Sequence, residues 1–278
     1  MTQQGRYHSL QVTEVKVVKM ISEEIQAKFG FKYGRNGAHA SRTMMLTEIT
    51  ELFSHRPADA KAEDYQQDIE QFNLLNKPTL KARQLTWRHL VDLYGMNTDI
   101  PLFRIFRLLW DADEDARPVL ACQMGLARDP LLRLSKEKIL QLSVGDLLTR
   151  QEMEGLFAER FPERFSPATL KSVAQNVNGT WTNAGYLQGR SKKHRSEPSI
   201  RAVNVVFALV MGKLQGASGN RLFATEWMQV LECRTERLLE LARMASHSGL
   251  ITFKHSSEVI EVGFPDLLTR NEELMLHE

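Results

Sequence analysis

A chain of 278 residues, 42% hydrophobic and 25% charged, has the composition of a globular protein and the length for one large unit or two to three small ones. That length buries a sizeable core without disulfide or metal staples, and a net charge of +2 says little about partners by itself. The two cysteines, Cys122 and Cys233, are far apart in helical surroundings, so buried thiols are expected rather than a disulfide or metal site.

The N-terminal stretch lacks the charged-then-apolar pattern of a signal peptide. The longest apolar run, 203–212, is interrupted by Asn204 and falls far short of a bilayer span, so a cytoplasmic protein without membrane contact is expected. Charge distribution says more than its sum. Acids are absent from 25–47, 71–91 and 165–196, where Lys28, Lys32, Arg35, Arg42, Lys77, Lys81, Arg83, Arg88, Lys171, Arg190, Lys192, Lys193 and Arg195 lie. Acids gather at 59–70, 111–115 and after 271. Separated blocks of opposite sign suit a cationic face for a polyanion, as well as ordinary surface charge.

In chain order, Val12, Val15, Val18, Ile21 and Ile25 recur at helical spacing, and Gly30 should end that helix. A glycine-punctuated loop follows. Ser41 is placed to cap a helix at 42–53, and further helices are expected at 59–72 and 78–94, the last closed by Gly95. A buried helix at 101–110 carries a polar rim of Arg104 and Arg107, and helices follow at 118–127, 136–141 and 150–161.

From Ser166 the pattern is most readable. Ser166 and Pro167 form an N-cap and first-turn pair, and Leu170, Val173, Ala174, Val177 and Trp181 mark one helix face. Gly185 ends this helix, Tyr186-Leu187 enters a strand, and the basic run 189–199 follows as a turn-rich loop. Helix, strand and basic hairpin in that order match a winged helix; a surface helix followed by a flexible linker reads the same way. Lys171, Gln175, Asn178 and Thr182 share one polar face of the helix, suited to base and phosphate contacts. A second such order closes the chain: helices at 199–214, 224–232 and 234–246, then a hairpin at 250–264 whose Lys254 and His255 face Glu258 and Glu261. That hairpin suits protein contact or internal packing better than phosphate contact.

The expected fold is therefore mainly α, multi-helical with winged-helix elements (helix-turn-helix plus short β-hairpin). Three units are drawn: 1–97, helical and a helix-turn-helix candidate; 98–195, helical with a basic wing; and 196–278, winged-helix-like.

Chemistry is sparse. The eight histidines are dispersed and there is no CxxC, HExxH or phosphate-loop lysine motif, so no metal and no cofactor are expected. Gly34 to Gly37, with His39 and Arg42 behind, can hold an anion or serve simply as a capped loop. The nuclease-like fragments Glu14-Val15-Lys16 and Asp59-Ala60-Lys61 sit in helical sequence, where no strand pair brings carboxylates together, so catalysis is not expected.

The run TLKSVAQNVNGTWTNAGYLQGRSKKHR, then an apolar helix, GNRLFATEW and ASHSGLITF…VIEVGFPDLL, resembles the BrxA-like proteins of bacterial BREX phage-defence systems over about residues 73–268. The resemblance implies a helical, non-enzymatic DNA-binding accessory of a defence complex containing a methyltransferase and an ATPase. On this reading double-stranded DNA is the partner. Arg190, Lys192, Lys193 and Arg195 form a wing on phosphate, Lys171, Gln175, Asn178 and Thr182 face the groove, and Lys81, Arg83, Arg88, Arg35 and Arg42 extend the cationic track. A protein-interaction adaptor and a transcription regulator of the defence locus are the alternatives. Near-neutral bulk charge and the acidic C-terminal hairpin depart from a dedicated DNA binder. The chain also extends further at its N-terminus than the family's usual form, which leaves the role of 1–72 open.

Overall fold

A computed structural model describes residues 21–256 and 259–276. Most of the helix read from Val12 onward, and the Glu14-Val15-Lys16 fragment, lie outside the described residues. The rest is mainly helical with two small antiparallel sheets. Helix α1 (Glu23–Phe29) is capped by the Ser22 hydroxyl, which accepts from the Ile25 N–H, and Gly30 ends it in the left-handed region, φ 110°. Then come α2 (Leu46–His55), α3 (Ala62–Glu70), α4 (Leu80–Tyr94), α5 (Pro101–Trp110), α6 (Arg117–Arg128) and α7 (Pro130–Leu140). The chain continues through β1 (Leu147–Leu148), α8 (Arg150–Arg160), α9 (Pro167–Asn183), β2 (Leu187–Gln188) and β3 (Lys193–Arg195). It closes with α10 (Ala202–Leu214), α11 (Glu226–Gln229), α12 (Thr235–His247), β4 (Thr252–Ser256), β5 (Val259–Gly263) and α13 (Arg270–Met275).

Two starts differ most from the sequence reading, the first because a distant group intervenes and the second because of a local cap. The segment before α2 does not continue a helix from Ser41. Residues Ala38–Ala40 form a 3₁₀ turn, and the Met44 N–H is drawn to Thr180 Oγ1 at 2.9 Å, so α2 begins only after Met45, at φ 50°. Helix α7 begins six residues earlier than expected, because the Asp129 carboxylate accepts from the N–H groups of Leu131 and Leu132 and Pro130 fills the first turn.

Buried side chains from Phe29 to Leu268 form one continuous apolar cluster shared by all three units drawn from the sequence. Helix α6 lies at its centre, packed against α4, α5, α7, α9 and α10. The apolar run of α10 is buried from Val203 to Gly212. Asn204 within it is satisfied by donating to Ala116 O, while its own carbonyl accepts from Gln123. Of the α5 rim, Arg104 pairs with Glu272 of α13 at 2.6 Å, whereas Arg107 is buried and donates to the carbonyls of Phe53 and Arg56.

The first sheet has strand order β1-β3-β2, with Leu147 opposite His194, Leu148 opposite Lys193 and Leu187 opposite Arg195. Strand β1, between α7 and α8, was not expected from the sequence. The connectivity is thus α7-β1-α8-α9-β2-loop-β3, with the last strand in the middle. The second sheet is the β4–β5 hairpin behind α12, in register from Thr252 opposite Gly263 to Ser256 opposite Val259.

Candidate nucleic-acid interface

Helix α9 is fixed by its buried stripe. Val173, Ala174, Val177, Thr180 and Trp181 are buried; the Trp181 indole N–H donates to Ser135 at 2.8 Å, and its ring meets Tyr186 edge-on at 4.9 Å. The solvent side belongs to the N-terminal half, where Ala168, Lys171, Ser172 and Gln175 are exposed. The expected polar face does not run the full helix. Asn178 is only 4% exposed, its Oδ1 is buried without a partner, and the half-buried Thr182 turns its hydroxyl back onto Asn178 O at 2.7 Å. Lys171 and Gln175 remain as groove-facing candidates.

The loop between β2 and β3 is closed by its own chemistry. Lys193 Nζ donates to Gly189 O at 2.7 Å, and Gly189 adopts φ 97°, where a Cβ would fall 2.2 Å from Lys192 O. Burial lowers the Lys193 pKa from its ordinary value. Arg190 and Lys192 project at the tip and are exposed. Arg195 corrects the sequence reading: it is 2% exposed, ion-paired to Glu232, and donates to the carbonyls of Ile139, Tyr186 and Ser196. It anchors the loop from beneath and is closed to phosphate. The difference is one of place: Arg195 ends β3 beside β2 and Glu232, whereas Arg190 and Lys192 lie in the turn before β3.

Arg190, Lys192 and Lys193 line a cleft of about 590 Å³ with Gln175 and Asn178 of α9 and Arg150 at the start of α8. No carboxylate lines it. Arg150, which sequence reading passed over, also reaches Glu154 at 2.8 Å. The signal for it was its place just after β1, legible only once that strand is known.

The other predicted cations divide. Gly179 lines the cleft, and a Cβ there would meet the Thr43 methyl at 3.1 Å, so the exposed Arg42 sits on the strap crossing α9. Arg88 and Arg42 both act on His89, whose imidazole is held below its ordinary pKa first by burial and then by those two charges. Lys81 is exposed on α4 seven residues before Arg88. Arg83 is instead engaged, donating to Glu70 O at 3.1 Å. Arg35 lies apart, in a second pocket.

The glycine-punctuated loop does hold an anion, supplied by the chain itself. The His39 backbone N–H donates to Asp129 Oδ2 at 2.9 Å, and His39 Nδ1 lies 2.8 Å from the same oxygen. A Cβ on Gly37 would fall 2.0 Å from Asp129 Oδ1. Gly37→Ala is therefore expected to destabilise the fold by about 1–3 kcal/mol, read from the urea midpoint; a stability within about 0.5 kcal/mol of the parent would contradict this packing.

His39 Nε2 continues to Thr180 Oγ1 at 2.8 Å, completing an Asp129–His39–Thr180 chain shaped like a nucleophile, base and orienting acid. All three side chains are at most 1% exposed, and Thr180 Oγ1 also accepts from Met44, so no substrate reaches the hydroxyl. Its role is to hold the N-terminal loop onto α9. Sequence reading missed it because its members lie 90 and 141 residues apart.

Asp59 and Lys61 face solvent before α3, Lys61 serving as its cap residue. Among the described residues no group of His, Cys, Asp and Glu is placed to hold a metal, and no helix is long and apolar enough to cross a membrane. Cys122 and Cys233 are free thiols, both raised in pKa by burial. Neither a scan against protein-family models nor a search of curated proteins returns a match.

Proposed function

We propose that the chain binds double-stranded DNA through α7-β1-α8-α9-β2-β3 acting as a winged helix, as a non-enzymatic accessory of a bacterial BREX-type phage-defence system. The observation that carries the reading is convergence: wing cations, α9 polar groups and Arg150 share one cleft without a carboxylate. Strand order supports it, since a last strand inserted between the first two is what a hairpin wing beside a recognition helix requires. The exposed N-terminal half of α9 supports it too, because recognition helices present that end to base edges. The defence role, alongside a methyltransferase and an ATPase, rests on the sequence resemblance over 73–268.

A protein-docking role for the C-terminal hairpin fits beside this. Its Lys254 is matched by Glu261 across the strands at 3.6 Å, while Val259 of β5 is 68% exposed. A surface with matched charge and an exposed apolar side chain suits a protein partner better than phosphate. Should the whole chain be a protein adaptor, no saturable DNA binding appears even at low salt.

The α9 assignment is tested by Lys171→Glu with Gln175→Glu. Both positions are exposed, so the melting temperature stays put, while affinity for unrelated duplexes falls about 100-fold in fluorescence anisotropy. Undiminished binding by this folded variant removes α9 from the interface.

A further inference from the structure

At the opposite end of α8 from Arg150 lies a second pocket, of about 410 Å³. Four arginines line it: Arg35 from the N-terminal loop, Arg133 of α7, and Arg160 and Arg164 around the turn from α8 to α9. No carboxylate is among its lining residues, and none of the four makes an ion pair with a described residue. By contrast, the partly or fully buried Arg56, Arg104, Arg107 and Arg195 each have an acid, whereas the buried Arg128 does not.

Two of the four are built in rather than loose. Arg133 spends its Nε and Nη2 on the carbonyls of Leu126, Lys32 and Ala127, and its guanidinium lies 5.3 Å from the Tyr33 ring centre. Burial lowers its pKa, so its charge is desolvated without a paired acid. Arg164 lies 4.6 Å from the ring centres of both Phe161 and Phe165, and its Nη2 donates to Asn36 at 2.7 Å. Its Nη1 is buried with no partner. Arg35 and Arg160 are exposed at the mouth.

We infer that this pocket is a phosphate site, taking the oxyanion of a phosphate mono- or diester between Arg35, Arg160 and Arg164 with Arg133 behind. Planar guanidinium forks match phosphate oxygens in pairs, and a ring-stacked arginine keeps its fork oriented at little further entropic cost. An oxyanion supplies what the site lacks: countercharge for clustered cations and acceptors for a buried donor without one. The inference stands independently of DNA binding at the wing. The oxyanion can belong to a DNA backbone, since the α8–α9 turn flanks the helix proposed for the groove, or to a free phosphate-bearing small molecule.

The test uses inorganic phosphate and the full chain. At matched ionic strength, phosphate at about ten times its Kd raises the melting temperature by roughly 3 °C over chloride. Arg160→Ala and Arg35→Ala, both at exposed positions, keep the parent stability in chloride and each weaken phosphate binding about tenfold by calorimetry. If these variants also lose affinity for duplex DNA, the oxyanion is a backbone phosphate; if DNA binding is unchanged while phosphate binding falls, it is a small molecule's. No phosphate-over-chloride gain, or a gain that survives both substitutions, overturns the site. Loss of DNA binding on removal of wing cations alone would leave this inference untouched, so the two proposals fail separately.

Discussion

Asp129→Asn is expected to cost about 3–5 kcal/mol of folding stability, the largest effect of any conservative substitution proposed for this chain. The carboxylate is 1% exposed and uses both oxygens, Oδ1 for the N–H groups of Leu131 and Leu132, Oδ2 for the backbone N–H and imidazole of His39. An amide offers one acceptor oxygen and turns an NH₂ toward donors on the other side, leaving buried groups unsatisfied. The loss reaches past α7, because the same contacts seat His39 against Thr180 and hence the loop on α9. Urea unfolding measures it; a shift under about 1 kcal/mol would show that the chain from Asp129 to Thr180 does not bear on stability.

The same carboxylate sets a pH dependence. Burial pushes Asp129 up, but the His39 side chain and the backbone N–H donors outweigh it and hold the group below its ordinary value. A depressed folded value means that its stabilisation is complete above the unfolded carboxyl pKa of about 3.9 and drains away as pH falls below that. Acid unfolding of the parent should steepen below about pH 4, and Asp129→Asn should flatten the curve in that window.

The second large effect is expected at Arg195→Met, again about 3–5 kcal/mol. Four acceptors lose their donor, and Glu232, whose carboxyl burial already pushes up against the opposing pull of Arg195, is left without its cation. Two of those acceptors, Tyr186 O and Ser196 O, flank the β2–β3 hairpin, so loosening there also unseats the loop that carries Arg190 and Lys192. A fully stable Arg195→Met protein with weakened DNA binding would return Arg195 to the phosphate-contacting set.

Much of the helical architecture was legible. Repeating apolar positions placed α5, α9, α10 and α12, while Ser166 marked the start of α9 and Gly30 the end of α1, because these features act within a few residues. Most of what escaped depends on partners far along the chain. The start of α2 is moved by a bond to Thr180, whereas the start of α7 was set by a local Asp129-Pro130 cap that went unread. Strand β1 holds only Leu147 and Leu148, too short for alternation to register, and exists because β3 offers it an edge. The basic run at 189–199 was read as one turn-rich loop, whereas 193–195 form β3, and acid-free sequence does not say which cation points inward. The turn between β2 and β3 and the position of Glu232 decide that Arg190 and Lys192 face solvent while Arg195 does not. Likewise, helical spacing grouped Lys171 with Thr182, yet the strap at Thr43–Met44 covers the far half of α9 and leaves only the near half open.

The proposed DNA contact centres on Arg190 and Lys192 at the exposed tip of the β2–β3 loop, and the salt dependence of duplex binding measures it most directly. Between about 50 and 200 mM salt, log affinity should fall linearly with log salt, each phosphate contact contributing about 0.9 to the slope. Arg190→Ala with Lys192→Ala, both at exposed positions, should reduce that slope by about 1.8 and weaken binding alike on unrelated sequences. A slope unchanged by the double substitution, in a protein that still melts like the parent, would contradict it.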